Sequence, residues 1–395
     1  MRIGVAGPID ITLLRDLFPP GAELPEVSSH TLTSLLIREF RRLGHDVSIF
    51  MLSRGVAKTT VLVGDWIRAH ICPERRPRSQ MLDFFREERR GLADAMRSSG
   101  CEIIHAFWTY EFAAGAIESG LPHLVTAQDV PTVVLRFARH PYWLEKPFLA
   151  WGVLRKARCI TTVSPYAASA LRRFTKGSSD IHVVPNPVAP AVFALRDNCG
   201  SRKPTRPFTF ASILNEWAGR KNGNRLLEAF ALLRGEYGDA VELIMFGKCH
   251  QRGGPAERWA ARHGLQWGVH FAGNVAYLEM LTTLAQKADV LVHPALEESF
   301  GMAVAEAMAI GLPVIGGIGC GAVPWVLADG EAGLLADVRS PASIASAMRT
   351  LMEHDGLRNR LSESGRRRAL DHYSLEVVAA QYEDVLAKAR QEQAP

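Results

Sequence analysis

Patterned cysteine is missing from this chain. Its six cysteines lie far apart, at positions 72, 101, 159, 199, 249 and 320, and no two form a C-x-x-C pair. Zinc sites and disulfide frameworks need closer, repeated spacing, so the pattern predicts buried free thiols, which suits a reducing compartment. Long apolar runs are missing as well. No uncharged run reaches the roughly 18 residues that a membrane-spanning helix requires. The opening Met1–Asp10 is too short and too broken for a signal peptide, so the expected location is the cytoplasm. Charge of one sign is scarce too: 46 basic residues face 41 acidic ones, a formal net charge of +5. That balance predicts no nucleic-acid partner, and no recognition-helix, RNP or zinc-finger pattern accompanies it.

Several catalytic signatures are also missing. There is no Asp-x-Asp to bridge a metal to a diphosphate, no H-E-x-x-H and no G-x-S-x-G elbow. The glycines of Gly316–Gly321 (GGIGCG) lack the G-x-G-x-x-G spacing of a dinucleotide fingerprint, and Phe246–His250 (FGKCH) lacks the phosphate-loop spacing. No metal site and no bound cofactor are expected.

What is present is an alternation of short apolar runs and helical patterns. With 395 residues, 47% of them apolar, the chain can bury two substantial cores, and disorder is expected only in the polar tail around Arg390–Pro395. In the first half the apolar runs are Ile3–Ala6, Val47–Leu52, Ile103–Phe107, Leu124–Thr126, Ile160–Val163 and Ile181–Val184. In the second half they are Phe208–Leu214, Val241–Phe246, Val269–Ala272, Val290–His293, Pro313–Ile315 and Leu334–Ala336. Most are apolar throughout, as strands covered on both faces are. The pattern predicts two doubly wound α/β domains with parallel sheets. Pro185–Pro207, with five prolines, reads as the linker. The expected domains are 1–190 and 191–374, facing each other across a cleft. A last amphipathic helix, 375–395, is expected to pack back toward the first domain.

The most informative segment is Ala288–Gly317. A buried strand ends at His293-Pro294, a loop with Glu297 and Glu298 follows, and a helix opens near Phe300-Gly301. Amides of that first helical turn are free to meet a phosphate, aided by the helix dipole, and Gly301 removes a side chain where a ligand approaches. Glu306 lies about 9 Å further along the helix, of the order of the separation between the two sugars of a nucleotide-diphosphate sugar. One carboxylate can take hexose hydroxyls and the other ribose hydroxyls. The plain alternative is a solvated loop glutamate and a surface helix glutamate. Against it, Glu306 sits in the otherwise small and apolar AVAEAMA, where an ionised carboxylate needs a partner.

The stretch HPALEESFGMAVAEAMAIGLPVIGG resembles the E-x7-E segment of the retaining glycosyltransferases of family 4, which have the GT-B fold. The resemblance extends to IIHAFW, GLPHLVTAQD, TTVSPYAASALRRF, IHVVPNPVAPAVF, RKNGNRLLEAFALL and DGEAGLLAD. It implies transfer of a hexose-type sugar, with retention and without a metal, from a nucleotide-diphosphate sugar to a hydroxyl of a glycan, lipid or small molecule. By the same resemblance Glu298 and Lys221 are catalytic, with Lys221 neutralising the leaving diphosphate. Glu306 binds the ribose, the amides of Phe300, Gly301 and Met302 face sugar and diphosphate, and Gly247, Asn274 and Val275 lie beside the nucleotide.

Three departures stand out. Asn215 and Glu216 occupy the positions where the family carries an arginine, and Arg220 is the nearest one. Gln128 replaces the histidine before Asp129, and Trp325 replaces a glutamate. On the acceptor side the candidates are Gly21, Trp108, Glu111 and Asp129; Ser28, Ser29 or His30 can simply cap the following helix. Two stretches, Glu145–Arg158 and Arg68–Arg97, combine apolar and basic residues. They read either as packed helices with solvated ends or as a peripheral contact with an anionic membrane. Two other readings share the fold: a sugar-nucleotide epimerase or phosphorylase, and a sugar-nucleotide-binding protein without turnover.

Overall fold

A computed structural model describes residues 1–27, 30–137, 145–175, 181–197, 207–217 and 219–393. The chain divides into two compact units. One comprises Met1–Pro187 together with Leu375–Pro395, and the other Val188–Ser374.

In the first unit the strands are β1 (Arg2–Ala6), β2 (Asp46–Ser53), β3 (Thr60–Val63), β4 (Ile67–Pro73), β5 (Ile103–Phe107), β6 (His123–Ala127), β7 (Ile160–Thr162) and β8 (Ile181–Val183). They form one sheet in the order β3-β4-β2-β1-β5-β6-β7-β8. Every pairing is parallel except that of β3 with β4. The six apolar runs of this half are all strands, because a sheet covered on both faces selects continuous apolar sequence. β3 and β4 were not anticipated. β3 is a largely exposed antiparallel edge, and β4 is largely buried apart from Arg68, which with His70 interrupts its apolar run.

The second unit contains β9 (Phe208–Ile213), β10 (Val241–Phe246), β11 (Val269–Gly273), β12 (Val290–His293), β13 (Val314–Gly317) and β14 (Leu334–Ala336). All pair in parallel, in the order β11-β10-β9-β12-β13-β14. Numbered within the unit, this is 3-2-1-4-5-6, the doubly wound arrangement. The chain order reverses between β9 and β12. Ligands of such sheets bind outside the carboxyl ends of the strands at that reversal, which directs attention to the loops after Ile213 and after His293.

Two expectations are corrected. Pro185–Pro207 is not all linker: Pro190–Asp197 is a helix that buries Val192 and Phe193. Proline suits the first helical position, where no amide partner is lost; residues 198–206 of the stretch lie outside the described residues. The polar tail is helical as far as Gln393, in the helix Leu375–Gln393. Gln393 bonds both the amide and the carbonyl of His123 on β6, at 3.1 and 2.9 Å, and Tyr382 and Leu386 of the same helix are fully buried in the first unit's core. Of the cysteines, 72, 101, 159 and 320 are buried and 249 half-buried; all five are free thiols. Cys199 lies outside the described residues.

Candidate active site

The carboxyl ends of β9 and β12 bring together residues far apart in the sequence. After β9 the chain runs through Asn215 and Trp217 to a tight 3-10 turn, Gly219–Lys221. Asn222 follows with a left-handed φ of +57° and caps the helix Gly223–Tyr237. Its side-chain amide donates to the carbonyls of Pro294 and Val338, at 3.0 and 2.8 Å. The amide of Leu296 donates to the carbonyl of Arg220 at 2.8 Å. These bonds lash the Arg220–Lys221 turn to the loop after β12.

Glu298 sits in that loop, 9% exposed. Lys221 Nζ lies 2.5 Å from its Oε1, His293 Nε2 3.2 Å from the same oxygen, and Arg220 Nη1 3.5 Å from Oε2. Burial alone would raise this carboxyl. The hydrogen bond from His293 and the charges of Lys221 and Arg220 outweigh burial and hold it well below the usual carboxylate range. Glu298 is therefore an ionised carboxylate, with Oε1 held by Lys221 and His293 and Oε2 met by Arg220 at 3.5 Å. Arg220 also donates to the Glu297 carbonyl at 3.3 Å, so the nearest arginine to the expected family position does face this cluster.

The helix Met302–Ile310 starts directly beyond, with Gly301 at φ +99° as its cap. A glycine has no side chain to cap the first turn. Among the described residues the amides of Gly301, Met302 and Ala303 have no acceptor, which leaves them available to an anion. Phe300 itself faces inward. It is 3% exposed and packs edge-on against Tyr373, with ring centroids 5.3 Å apart. Trp325 belongs to the same cluster, 6.4 Å from Phe300 and 6.2 Å from Tyr373, so packing accounts for the residue that stands in place of a glutamate.

Glu306 lies about one turn into this helix, 7% exposed. Burial pushes its carboxyl up to about 7, against the hydrogen bond it accepts from Tyr277 Oη at 2.7 Å. Asn274 and Val275, at the end of β11, lead into the helix Tyr277–Lys287. Gly247 ends β10 with φ +110°, its amide bonded to the carbonyl of Gly273 at 2.7 Å. The residues expected around the nucleotide thus come from the ends of four strands, β9, β10, β11 and β12, of one sheet. Sequence reasoning missed His293, Asn222 and Tyr277. His293 carried a signal, as a histidine closing a buried strand one loop before Glu298.

The acceptor-side candidates lie in the first unit. Trp108 and Glu111 follow β5, at the chain reversal of that sheet, and Asp129 follows β6. Trp108 has φ +63°, and its ring meets His30 edge-on at 4.9 Å. His30 stands at the start of the helix Thr31–Arg42 without a side-chain capping bond; Ser28 and Ser29 lie outside the described residues. Tyr110 Oη donates to both oxygens of Asp129 at 3.1 Å, and burial pushes that carboxyl up to about 6. Glu111 accepts from Lys146 at 3.3 Å. Gly21 lies exposed in the loop between β1 and that first helix, with nothing within 4 Å of where a Cβ would stand.

Residues 203–368 match the family described as Glycosyl transferases group 1, and residues 30–192 match Glycosyltransferase Family 4. The chain belongs to the family 4 glycosyltransferases of the GT-B fold. This family 4 chain is 32% identical over 267 residues to the MMP alpha-(1->4)-mannosyltransferase of Mycolicibacterium hassiacum, a match covering 66% of the chain and 62% of that protein. It is 38% identical over 114 residues to the D-inositol 3-phosphate glycosyltransferase of Corynebacterium glutamicum, covering 27% of the chain and 26% of that protein. The chain therefore spans less than two thirds of these curated relatives. Among solved structures, the sucrose-phosphate synthase of Thermosynechococcus elongatus aligns over 99% of this chain and 100% of its own, with a TM-score of 0.72 at 17% identity. Anabaena HepE in complex with UDP and glucose aligns over 98% and 100%, with a TM-score of 0.67 at 16% identity. These two likenesses carry the fold.

Proposed function

We propose that this glycosyltransferase moves a hexose from a nucleotide-diphosphate sugar to an acceptor hydroxyl with retention at the anomeric carbon. The observation that carries the reading is Glu298, held ionised by Lys221, His293 and Arg220 in front of the open amides of Gly301–Ala303. The diphosphate lies on those amides, with Glu298 reaching the hexose hydroxyls and Glu306 the ribose. As the bond from the anomeric carbon to the diphosphate oxygen breaks, negative charge gathers on the leaving group. Lys221, Arg220 and the helix amides stabilise it without a metal. In this reading Glu298 is an acceptor for sugar hydroxyls and not a covalent nucleophile. The acceptor oxygen instead bonds to the anomeric carbon on the face the diphosphate leaves, and its proton passes to a phosphate oxygen.

The test is a thermal-shift screen of UDP-, GDP- and ADP-sugars. UDP-glucose heads it, since Anabaena HepE binds UDP and glucose. Ligand at a hundredfold excess over Kd stabilises a fold by about 2.7 kcal/mol. Glu306→Gln is expected to abolish that shift. The same variant is expected to raise the unliganded Tm at pH 8. A carboxyl pushed up to about 7 binds more protons in the folded than in the unfolded chain between the ordinary glutamate value and pH 7. Stability is therefore lost as pH rises through that window, and the neutral amide escapes the loss. A ligand shift that survives in Glu306→Gln would sink the ribose assignment, and epimerised nucleotide among the products would favour an epimerase.

The acceptor side includes a membrane contact in this reading. The helix Lys146–Lys156 buries Leu149, Ala150, Val153 and Leu154 and leaves Phe148 and Trp151 68% and 49% exposed. Arg155, stacked 4.9 Å from the Trp151 ring, and Lys156 lie beside them, both exposed. Arg68–Arg97 adds less positive charge than its composition suggests, because Arg75 pairs with Asp83 and Glu88, Arg89 with Glu118 and Arg97 with Asp94. In sedimentation with anionic liposomes, Phe148→Ala/Trp151→Ala is expected to lose most binding. Equal binding to neutral liposomes would remove the electrostatic part.

A further inference from the structure

We propose that Tyr277 is a positioning residue that acts through Glu306, holding one carboxylate oxygen so that the other is free to receive the ribose diol of the donor nucleotide. This rests on the nucleotide-sugar reading of the site. The two residues come from different strand ends, Tyr277 opening the helix after β11 and Glu306 lying in the helix after β12. They are joined by the Tyr277 Oη to Glu306 Oε1 hydrogen bond of 2.7 Å. Among the described residues Glu306 Oε2 has no partner, although the residue as a whole is 7% exposed. Tyr277 is 42% exposed, so its ring reaches the surface while its hydroxyl points down onto the carboxylate.

This arrangement does two things. It removes rotational freedom from Glu306, since a carboxylate pinned at Oε1 presents Oε2 in one direction. It also helps the carboxylate stay charged. A ribose offers two hydroxyl donors, and an ionised carboxylate accepts both where a protonated one accepts less well. Burial favours the protonated form of Glu306, and the Tyr277 hydroxyl is the group opposing it. Two cations of the helix Asp355–Tyr373, which packs alongside, are directed elsewhere. Arg366 donates to the carbonyls of Phe193 and Ala309, and Arg368 to those of Trp325 and Val326. Tyr277 therefore opposes burial at Glu306 with a neutral hydroxyl, as Lys221, His293 and Arg220 oppose it at Glu298 with charge, but without outweighing it.

Calorimetric titration tests this, using whichever of UDP, GDP and ADP binds the wild-type protein tightest, between about pH 6 and 9. Wild-type affinity is expected to climb as pH rises through about 7. Tyr277→Phe keeps the ring and removes the hydroxyl. It is expected to weaken binding roughly five- to tenfold at neutral pH and to move the climb to higher pH, so that the deficit narrows in alkali. Glu306→Gln is expected to flatten the profile. Wild-type affinity in Tyr277→Phe at every pH overturns the proposal. So does a deficit of constant size across the range, which would mean the hydroxyl contributes packing alone. If no nucleoside diphosphate binds the wild type, the donor-site reading fails first and takes this one with it, an outcome distinct from tight wild-type binding that Tyr277→Phe leaves untouched.

Discussion

Glu298→Gln is expected to cut sugar transfer by roughly a hundred- to a thousandfold, the usual consequence of removing one preorganised polar group from a reacting centre. The same change is expected to destabilise the second unit by about 3 kcal/mol, because it strands Lys221, His293 and Arg220 around a neutral amide. The two effects separate in a double variant. Lys221→Met beside Glu298→Gln removes the orphaned ammonium and fills its space with an apolar stem, so much of the lost stability should return. In the proposed reading turnover should not return, since the leaving diphosphate would then lack both Lys221 and the carboxylate that orients it. A coupling of about 1–3 kcal/mol in the stability cycle, with no recovery of rate, is the expected outcome. Were the double variant to regain activity together with stability, Glu298 would be a structural ion-pair partner and the catalytic assignment would fall. Transfer rates measured on folded protein, with the melting curve taken alongside, decide between them.

The elements that could be read from sequence and those that could not differ in one physical respect. Most of the twelve expected strands are continuous apolar runs because parallel sheets are covered on both faces, so each such run states its own burial. β3 has no such imprint: Val61 and Val63 are 45% and 58% exposed, and a half-solvated edge looks like a loop; β4 is largely buried apart from Arg68, but Arg68 and His70 interrupt its apolar run. The candidate site divides in the same way. Glu298, Glu306 and Lys221 occupy a spacing that a family pattern captures. Tyr277, His293 and Asn222 matter because of where other strand ends deliver their partners. The hydroxyl of Tyr277 is 29 positions from Glu306, and the amide of Asn222 reaches the carbonyl of Pro294, 72 positions on. No local period encodes such pairs. The strand order around β9 and β12 does, and it becomes visible only once the sheet is assembled. Phe300 is the reverse case. It lies inside the motif, yet its side chain serves the core with Tyr373 and Trp325 while its neighbours' amides stay open.

Gly247→Ala is expected to cost about 3 kcal/mol or more, a fall in Tm on the order of 6–12 °C, although the change adds a single methyl group. Gly247 has φ +110°. A Cβ there would lie 2.2 Å from the carbonyl oxygen of Leu214 and 2.7 Å from its carbon, and main chain cannot swing aside as a side chain can. Both neighbours are pinned: the Leu214 amide donates to the carbonyl of Phe246 at 2.9 Å and the Gly247 amide to that of Gly273 at 2.7 Å. Any relief must shift the end of β9 against β10, and with it the segment that carries Arg220 and Lys221. Gly301→Ala supplies the contrast. Its φ of +99° is also unfavourable, but its Cβ would meet Val323 no closer than 3.5 Å, so only the conformational cost of about 1–2 kcal/mol applies. Melting curves should therefore rank Gly247→Ala well below Gly301→Ala, with Gly301→Ala nearer wild type. Nucleotide binding per folded molecule should suffer more at Gly301, whose methyl would stand at the mouth of the open amides. A Gly247→Ala protein melting within about a degree of wild type would show that the β9 end yields easily, and a strand end that yields could not hold Lys221 against Glu298.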